Sequence, residues 1–156
     1  MYKEGHVGFS LIFLSIAMYL TDSWDEMSLI TALIALVFST FPDLDLKIGV
    51  GHRKYTHSFL FALIFGILTG LITYKIGFGF YPGFLGAFAG INLHIIADLM
   101  TYRRFAPLWP VSNKKFSLGL FRSDNRYVNR VLLIAGLISF VLLYDDCFIL
   151  SALLPK

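Results

Sequence analysis

The chain has 156 residues, enough for one domain. Hydrophobic residues make up 57 % of it and charged residues only 15 %, with a mean hydropathy of +0.73. A soluble domain carries about 25 % charged residues, so this composition excludes an ordinary soluble fold and points to a polytopic membrane protein.

The net charge of +3 comes without a dense basic run interleaved with aromatics, so no nucleic-acid partner is expected. Cys147 stands alone, which excludes an internal disulfide or a thiolate cluster and leaves it as a packed apolar side chain.

Five apolar stretches follow in chain order: 7–20, 28–41, 56–74, 80–100 and 128–144. The third and fourth approach the roughly 20 residues that a membrane-crossing helix needs. The first two are short unless they extend toward Thr21 and Trp24, and they could instead form a re-entrant hairpin. A cleaved signal peptide is the alternative for the first stretch, because Ser15-Ile16-Ala17 loosely resembles a small-x-small site. The charged residues ahead of the stretch are Lys3 and Glu4, a weak leader, so it reads as retained. The apolar tail 148–154 is too short to cross.

Loop charge then sets the orientation. Lys3 lies on one side, with Lys47, Arg53 and Lys54, and with Arg103, Arg104, Lys114, Lys115, Arg122, Arg126 and Arg130 in the loop 101–130. The other connections hold Asp22, Asp25 and Glu26, or Lys75 alone. The positive-inside rule predicts an all-α bundle of about five spans in the inner (cytoplasmic) membrane, with a cytoplasmic N-terminus and an outer C-terminus. Lys75 and Lys156 alone break the pattern.

That topology, derived from Lys and Arg, brings the unusual residues to one face. His6 falls at the inner end of the first stretch, Asp43 and Asp45 follow Pro42 after the second, His52 and His57 open the third, and His94 and Asp98 close the fourth. Ionisable groups at membrane depth cost at least a few kcal/mol and usually serve function. Histidine and carboxylate are zinc-type ligands.

His94 and Asp98 are four apart, one turn along one helix face. The pair suits two ligands, or a ligand and its orienting partner, or simply a buried hydrogen-bonded pair. Gly86 and Gly90 share roughly that face, which should point into the bundle. Gly66 and Gly70 repeat the spacing on the third stretch, so these two helices are expected to pack.

Pro42 should end the second helix at Phe41, leaving Asp43 and Asp45 in extended chain with both side chains facing one way, or else in a solvated acidic turn. Thr56 is placed to cap the third helix, with His57 in its first turn and His52 in the loop before it. Arg53 reads either as a topology anchor or as a bidentate holder of a phosphate oxygen. His6 reads either as a ligand or as interfacial decoration.

The strings Pro42-Asp43-Leu44-Asp45, Gly51-His52-Arg53-Lys54-Tyr55-Thr56-His57-Ser58 and Leu93-His94-Ile95-Ile96-Ala97-Asp98-Leu99-Met100-Thr101 resemble the YdjM-like family of membrane-bound metal-dependent hydrolases, also described as LexA-binding inner-membrane proteins. Glu4-Gly5-His6-Val7-Gly8-Phe9-Ser10 and Pro107-Leu108-Trp109-Pro110 fit it too, so the similarity covers most of the chain from Glu4 to about Leu120. The resemblance implies Asp43, Asp45, His52, His57, His94, Asp98 and His6 as metal site, and a distant likeness to zinc-dependent phospholipase C. Two departures stand out: Leu46 where members often carry histidine, and Tyr102, Arg103 and Arg104 where many have Pro and Gly. They bear on the number of metals and on the rim of the site.

The function expected on these grounds is a hydrolase cleaving a phosphoester of a lipid or amphiphile at the cytoplasmic leaflet through metal-activated water. The metal would be zinc, or else manganese. Two ions are expected, because seven candidate ligands exceed the four of one zinc. Asp45 or Asp98 would act as general base or as orienter, and Arg53, Arg103 or Arg104 would neutralise developing charge. An alternative is a non-catalytic adaptor with a structural metal and a protein partner on the basic segment 112–130, which otherwise rests on anionic headgroups. A transporter fits less well, because the ionisable residues sit at one end and there is no internal repeat.

Overall fold

The computed structural model describes residues 1–45, 53 and 55–153, with side chains to residue 144. His52, Lys47, Lys54, Leu46 and the side chain of Cys147 therefore lie outside the described residues. Among the described residues there are five α-helices: α1 (Lys3–Leu20), α2 (Glu26–Phe38), α3 (Phe59–Lys75), α4 (Phe80–Leu99) and α5 (Arg126–Leu153). The architecture is all-α, as the composition implied.

Local side chains set the helix starts. Asp25 caps α2, its carboxylate accepting from the amides of Met27 and Ser28, and the Asn125 side chain does the same for α5 through Tyr127 and Val128. The cap of α3 is Ser58, whose hydroxyl accepts from the Phe61 amide, and not Thr56 as expected. The Thr56 hydroxyl is already committed to Asp45 and His57, so His57 lies ahead of the helix and outside its first turn. At the far end α5 runs unbroken to Leu153, so the apolar tail continues the fifth helix.

The end of α2 also departs from expectation. The α-helix stops at Phe38, and Phe41–Leu44 form a 3-10 turn with Pro42 in its first turn, where the missing amide costs nothing. Asp43 and Asp45 are therefore not in extended chain. Three residues per turn send side chains two apart about 240° from each other, so the two carboxylates diverge.

Three stretches have the length and apolarity to cross a bilayer: Glu26–Leu44, Phe80–Leu99 and Arg126–Tyr144. Helix α3 is apolar but only 17 residues long, and it turns Ile64, Leu68, Leu71 and Ile72 outward. Five spans are expected, and among the described residues three stretches meet the span criteria.

Helix α1 lies along α5, and their backbones meet where Gly8 and Gly136 face each other, a crossing no Cβ would permit. Helix α4 is central, with α3 on one side and α2 on the other. Gly66 and Gly70 do bring α3 onto α4, against Phe84, Phe88 and Phe80. Gly86 and Gly90 serve a different neighbour: a Cβ on Gly86 would sit 2.7 Å from Ile34, and one on Gly90 would strike the Ala35 backbone. The glycine stripe that leads to His94 thus admits α2 and draws its C-terminal end onto α4. The segment 101–125 folds back over this end of the bundle. Leu118 and Leu120 donate amides to the Leu99 and Met100 carbonyls at 2.7 and 2.8 Å, and the Phe59 amide donates to Pro107 at 3.0 Å.

Candidate metal centre

Two helices and two turns converge on one buried pocket of charge. His6 comes from the second turn of α1, Asp43 from the 3-10 turn, His57 from the turn before α3, and His94 and Asp98 from the last turns of α4. His6, His57, His94 and Asp98 are fully buried. His6, Asp43, His94 and Asp98 each offer a ligand atom within 4.8 Å of the others and could hold a metal ion.

The imidazoles are fixed from behind. His94 Nδ1 donates to the Ser39 carbonyl at 2.7 Å, which turns its Nε2 inward. His57 Nδ1 lies 2.9 Å from the Thr56 hydroxyl, which itself donates to Asp45 Oδ2 at 2.7 Å. With the threonine proton given to Asp45, the ring nitrogen must be the donor, so His57 also carries its proton on Nδ1. Orienting a metal-binding histidine through its second nitrogen is the usual arrangement around such ions.

Both Nε2 atoms consequently aim lone pairs into the same space, 3.0 Å apart. Asp43 Oδ1 is 3.6 Å from each of them, and Asp98 Oδ2 is 3.4 Å from His57 and 3.8 Å from His94. Ligands about 2.1 Å from a tetrahedral zinc lie about 3.4 Å from one another. Five edges of such a tetrahedron are thus present at 3.0–3.8 Å. The other carboxylate oxygens face His6, at 3.7 Å for Asp43 Oδ2 and 3.5 Å for Asp98 Oδ1. His6 stacks on His94 with ring centroids 3.8 Å apart. Neither of its buried nitrogens makes a hydrogen bond, and Asp98 Oδ2 has none either. Buried polar atoms left unsatisfied cost about 1–3 kcal/mol each, so the donor set fits a cation.

Positive charge already gathers around Asp98. The Arg53 guanidinium is 2.7 Å from its Oδ1, and the Met1 amino group 2.8 Å. Arg53 also donates to the Arg103 carbonyl at 3.1 Å and lies over the Phe105 ring. Its backbone sits at φ +60°, in the left-handed region, where a side chain costs roughly 1–2 kcal/mol. Its amide to Asp45 and its guanidinium to Asp98 hold it there. Burial works against charge on His57, but the carboxylates of Asp43 and Asp98 outweigh it and keep its pKa above the ordinary imidazole value.

Of the seven candidate ligands, five meet in the pocket. Asp45 stands behind His57, 3.6 Å from its Nδ1, and accepts from the Thr56 hydroxyl and the Arg53 amide. His52 lies outside the described residues. Arg53 is paired with Asp98 at the edge of the pocket. Arg103 and Arg104 are exposed at the rim. Two parts of the site escaped the sequence reading. Thr56 was absorbed into a capping role, and the Ser39 contact is made by a backbone carbonyl, which no residue type announces.

No curated protein and no solved structure matches the chain, and the likeness to zinc-dependent phospholipase C finds no support there. A family description, YdjM inner membrane protein, matches residues 1–154. That match spans every element that builds the pocket, and the chain belongs to the YdjM inner membrane protein family.

Proposed function

We propose that the protein is a membrane-bound metal-dependent hydrolase that cleaves a phosphoester of a lipid or amphiphile at the cytoplasmic face. The observation that carries this reading is the pair of inward-facing Nε2 atoms 3.0 Å apart, flanked by two carboxylates. A divalent ion, zinc first and manganese second, would supply an activated water and a Lewis-acidic contact to a phosphoryl oxygen. His57, His94, Asp43 and Asp98 would hold one ion. His6 would hold a second, together with Asp43 and Asp98.

The chain's own groups define the rest. Asp45 and Thr56 keep the His57 tautomer, and Ser39 keeps that of His94. Arg53 is a cation beside the centre, and it would neutralise an anionic oxygen after leaving Asp98.

One observation favours a second reading, a regulator with a structural metal whose partner binds the basic segment 112–130. The donors are almost wholly buried, and structural metal sites are closed where catalytic ones keep a position open.

Metal analysis of detergent-purified protein, combined with a phosphodiester assay, separates the readings. Near-stoichiometric zinc or manganese, lost in the His94→Ala, Asp98→Ala variant and accompanied by metal-dependent turnover, supports the hydrolase. Metal without turnover supports the structural site. No metal above background in a folded protein overturns both.

A further inference from the structure

An open cleft of about 500 Å³ lies between the starts of α1 and α5, lined by Tyr2, Lys3, Glu4, Arg126 and Arg130. Three cations face one carboxylate there, and none of the three is ion-paired among the described residues. Lys3 and Arg126 are the first residues of their helices, and Arg130 is one turn further along α5. A helix N-terminus carries partial positive charge, so cations placed there are electrostatically uphill, and the first turn of α5 holds no acidic residue to offset them. A cleft with two helix starts and three unneutralised cations is complementary to an anion.

The cleft also adjoins the metal centre through continuous structure. The Tyr2 amide donates to Asn129 Oδ1 at 3.0 Å, which ties the start of α1 to α5. The preceding residue, Met1, places its amino group 2.8 Å from Asp98. His6 follows Lys3 by three positions on α1. Whatever anion the cleft holds is therefore only a few residues from the ligands.

We propose that this cleft binds a phosphate-bearing anion through Lys3, Arg126 and Arg130, and so sets the substrate class of the neighbouring centre. Arginine forks and a lysine ammonium suit phosphate oxygens, and both side chains sit at a membrane-adjacent end of the bundle where headgroups occur. The link to substrate rests on the hydrolase reading. The binding itself does not, so its test reads binding alone.

The test uses full-length protein in detergent and titrates three probes by calorimetry: inorganic phosphate, short-chain phosphatidylglycerol and short-chain phosphatidylcholine, each against wild type and the Arg126→Gln, Arg130→Gln variant. Both arginines are exposed, and an unchanged melting temperature shows that the variant folds. The His94→Ala variant serves as the second protein, since it removes a ligand of the metal centre and keeps Asp98, which anchors Met1 beside the cleft.

The expected result is anion binding that weakens about tenfold or more in the arginine variant and persists in the metal-site variant. Tighter binding of phosphatidylglycerol than of phosphate would identify a lipid headgroup as the source, and equal binding a free phosphate. The proposal is overturned if the arginine variant binds as wild type does, if phosphatidylcholine binds as well as phosphatidylglycerol, or if binding disappears only with the metal site.

Discussion

The Nε2 atoms of His57 and His94 face each other across 3.0 Å, although each ring has already given its Nδ1 proton elsewhere, one toward Thr56 and one to Ser39. Two lone pairs at that separation repel unless a cation lies between or beside them. A proton on one Nε2 satisfies the pair, and so does a metal. The raised pKa of His57 follows from the same crowding, because Asp43 and Asp98 favour the charged ring by more than burial disfavours it.

Proton and metal should therefore compete. Below the raised pKa, His57 holds a proton on Nε2 that an incoming ion must displace; above it, the nitrogen is unprotonated. Zinc affinity is expected to fall about tenfold per pH unit below that value and to level off above it. Competition with a fluorescent chelator, from one unit below the ordinary imidazole pKa of about 6.5 to two units above, measures this. A flat profile would mean that His57 does not compete for the ion.

The relay behind His57 predicts an effect without any loss of ligand. Thr56→Val removes the hydroxyl that accepts from His57 Nδ1 and donates to Asp45. Asp45→Asn weakens the same chain. Orienting partners of this kind are worth 10–100-fold in metal affinity, so both variants should retain metal at saturation but bind it in that range more weakly. Equal affinity to wild type in both would show that packing against Phe105, 5.8 Å from the His57 ring, positions it unaided.

Helix packing predicts a remote effect on the same centre. Gly90 meets the Ala35 backbone, and four residues later Ser39 accepts the His94 proton. Gly90→Leu cannot be accommodated without moving α2 off α4, at a cost of roughly 1–3 kcal/mol. The variant should melt earlier and lose metal affinity together, because Ser39 and Asp43 travel with α2. Gly77→Ala has open space around it but a φ of +90°; it should lower stability and leave metal affinity unchanged.

Some of this was legible in the residues and some was not. His94 and Asp98 could be placed on one buried face because a four-residue spacing on a helix has a fixed geometric meaning. His6, Asp43 and His57 gathered with them once loop charges assigned their ends of the helices to one side. Periodicity does not say which neighbour a glycine face admits, and so Gly86 and Gly90 point to α2 where α3 was also possible. The 3-10 turn was hidden for a related reason: Pro42 excludes the interior of a helix but tolerates its first turn, and the difference decides whether Asp45 joins Asp43 or stands behind His57. The Arg53–Asp98 pair joins residues far apart in sequence, and no local pattern encodes it.

That pair gives the sharpest discrimination between the catalytic and structural readings. Arg53 holds Asp98 Oδ1 at 2.7 Å, on the oxygen that His6 also faces. A guanidinium and a metal ion compete for one carboxylate, so Arg53→Gln should bind metal at least as tightly as wild type. If Arg53 neutralises a phosphoryl oxygen during turnover, the same variant should lose about a hundredfold in kcat, the usual scale for one charge-stabilising group. Arg53→Lys keeps the charge without the fork and should fall between the two. Tighter metal binding with unchanged turnover would make Arg53 a counter-ion alone. Weaker metal binding would mean that the arginine, strained at φ +60°, is needed to shape the turn that carries His57.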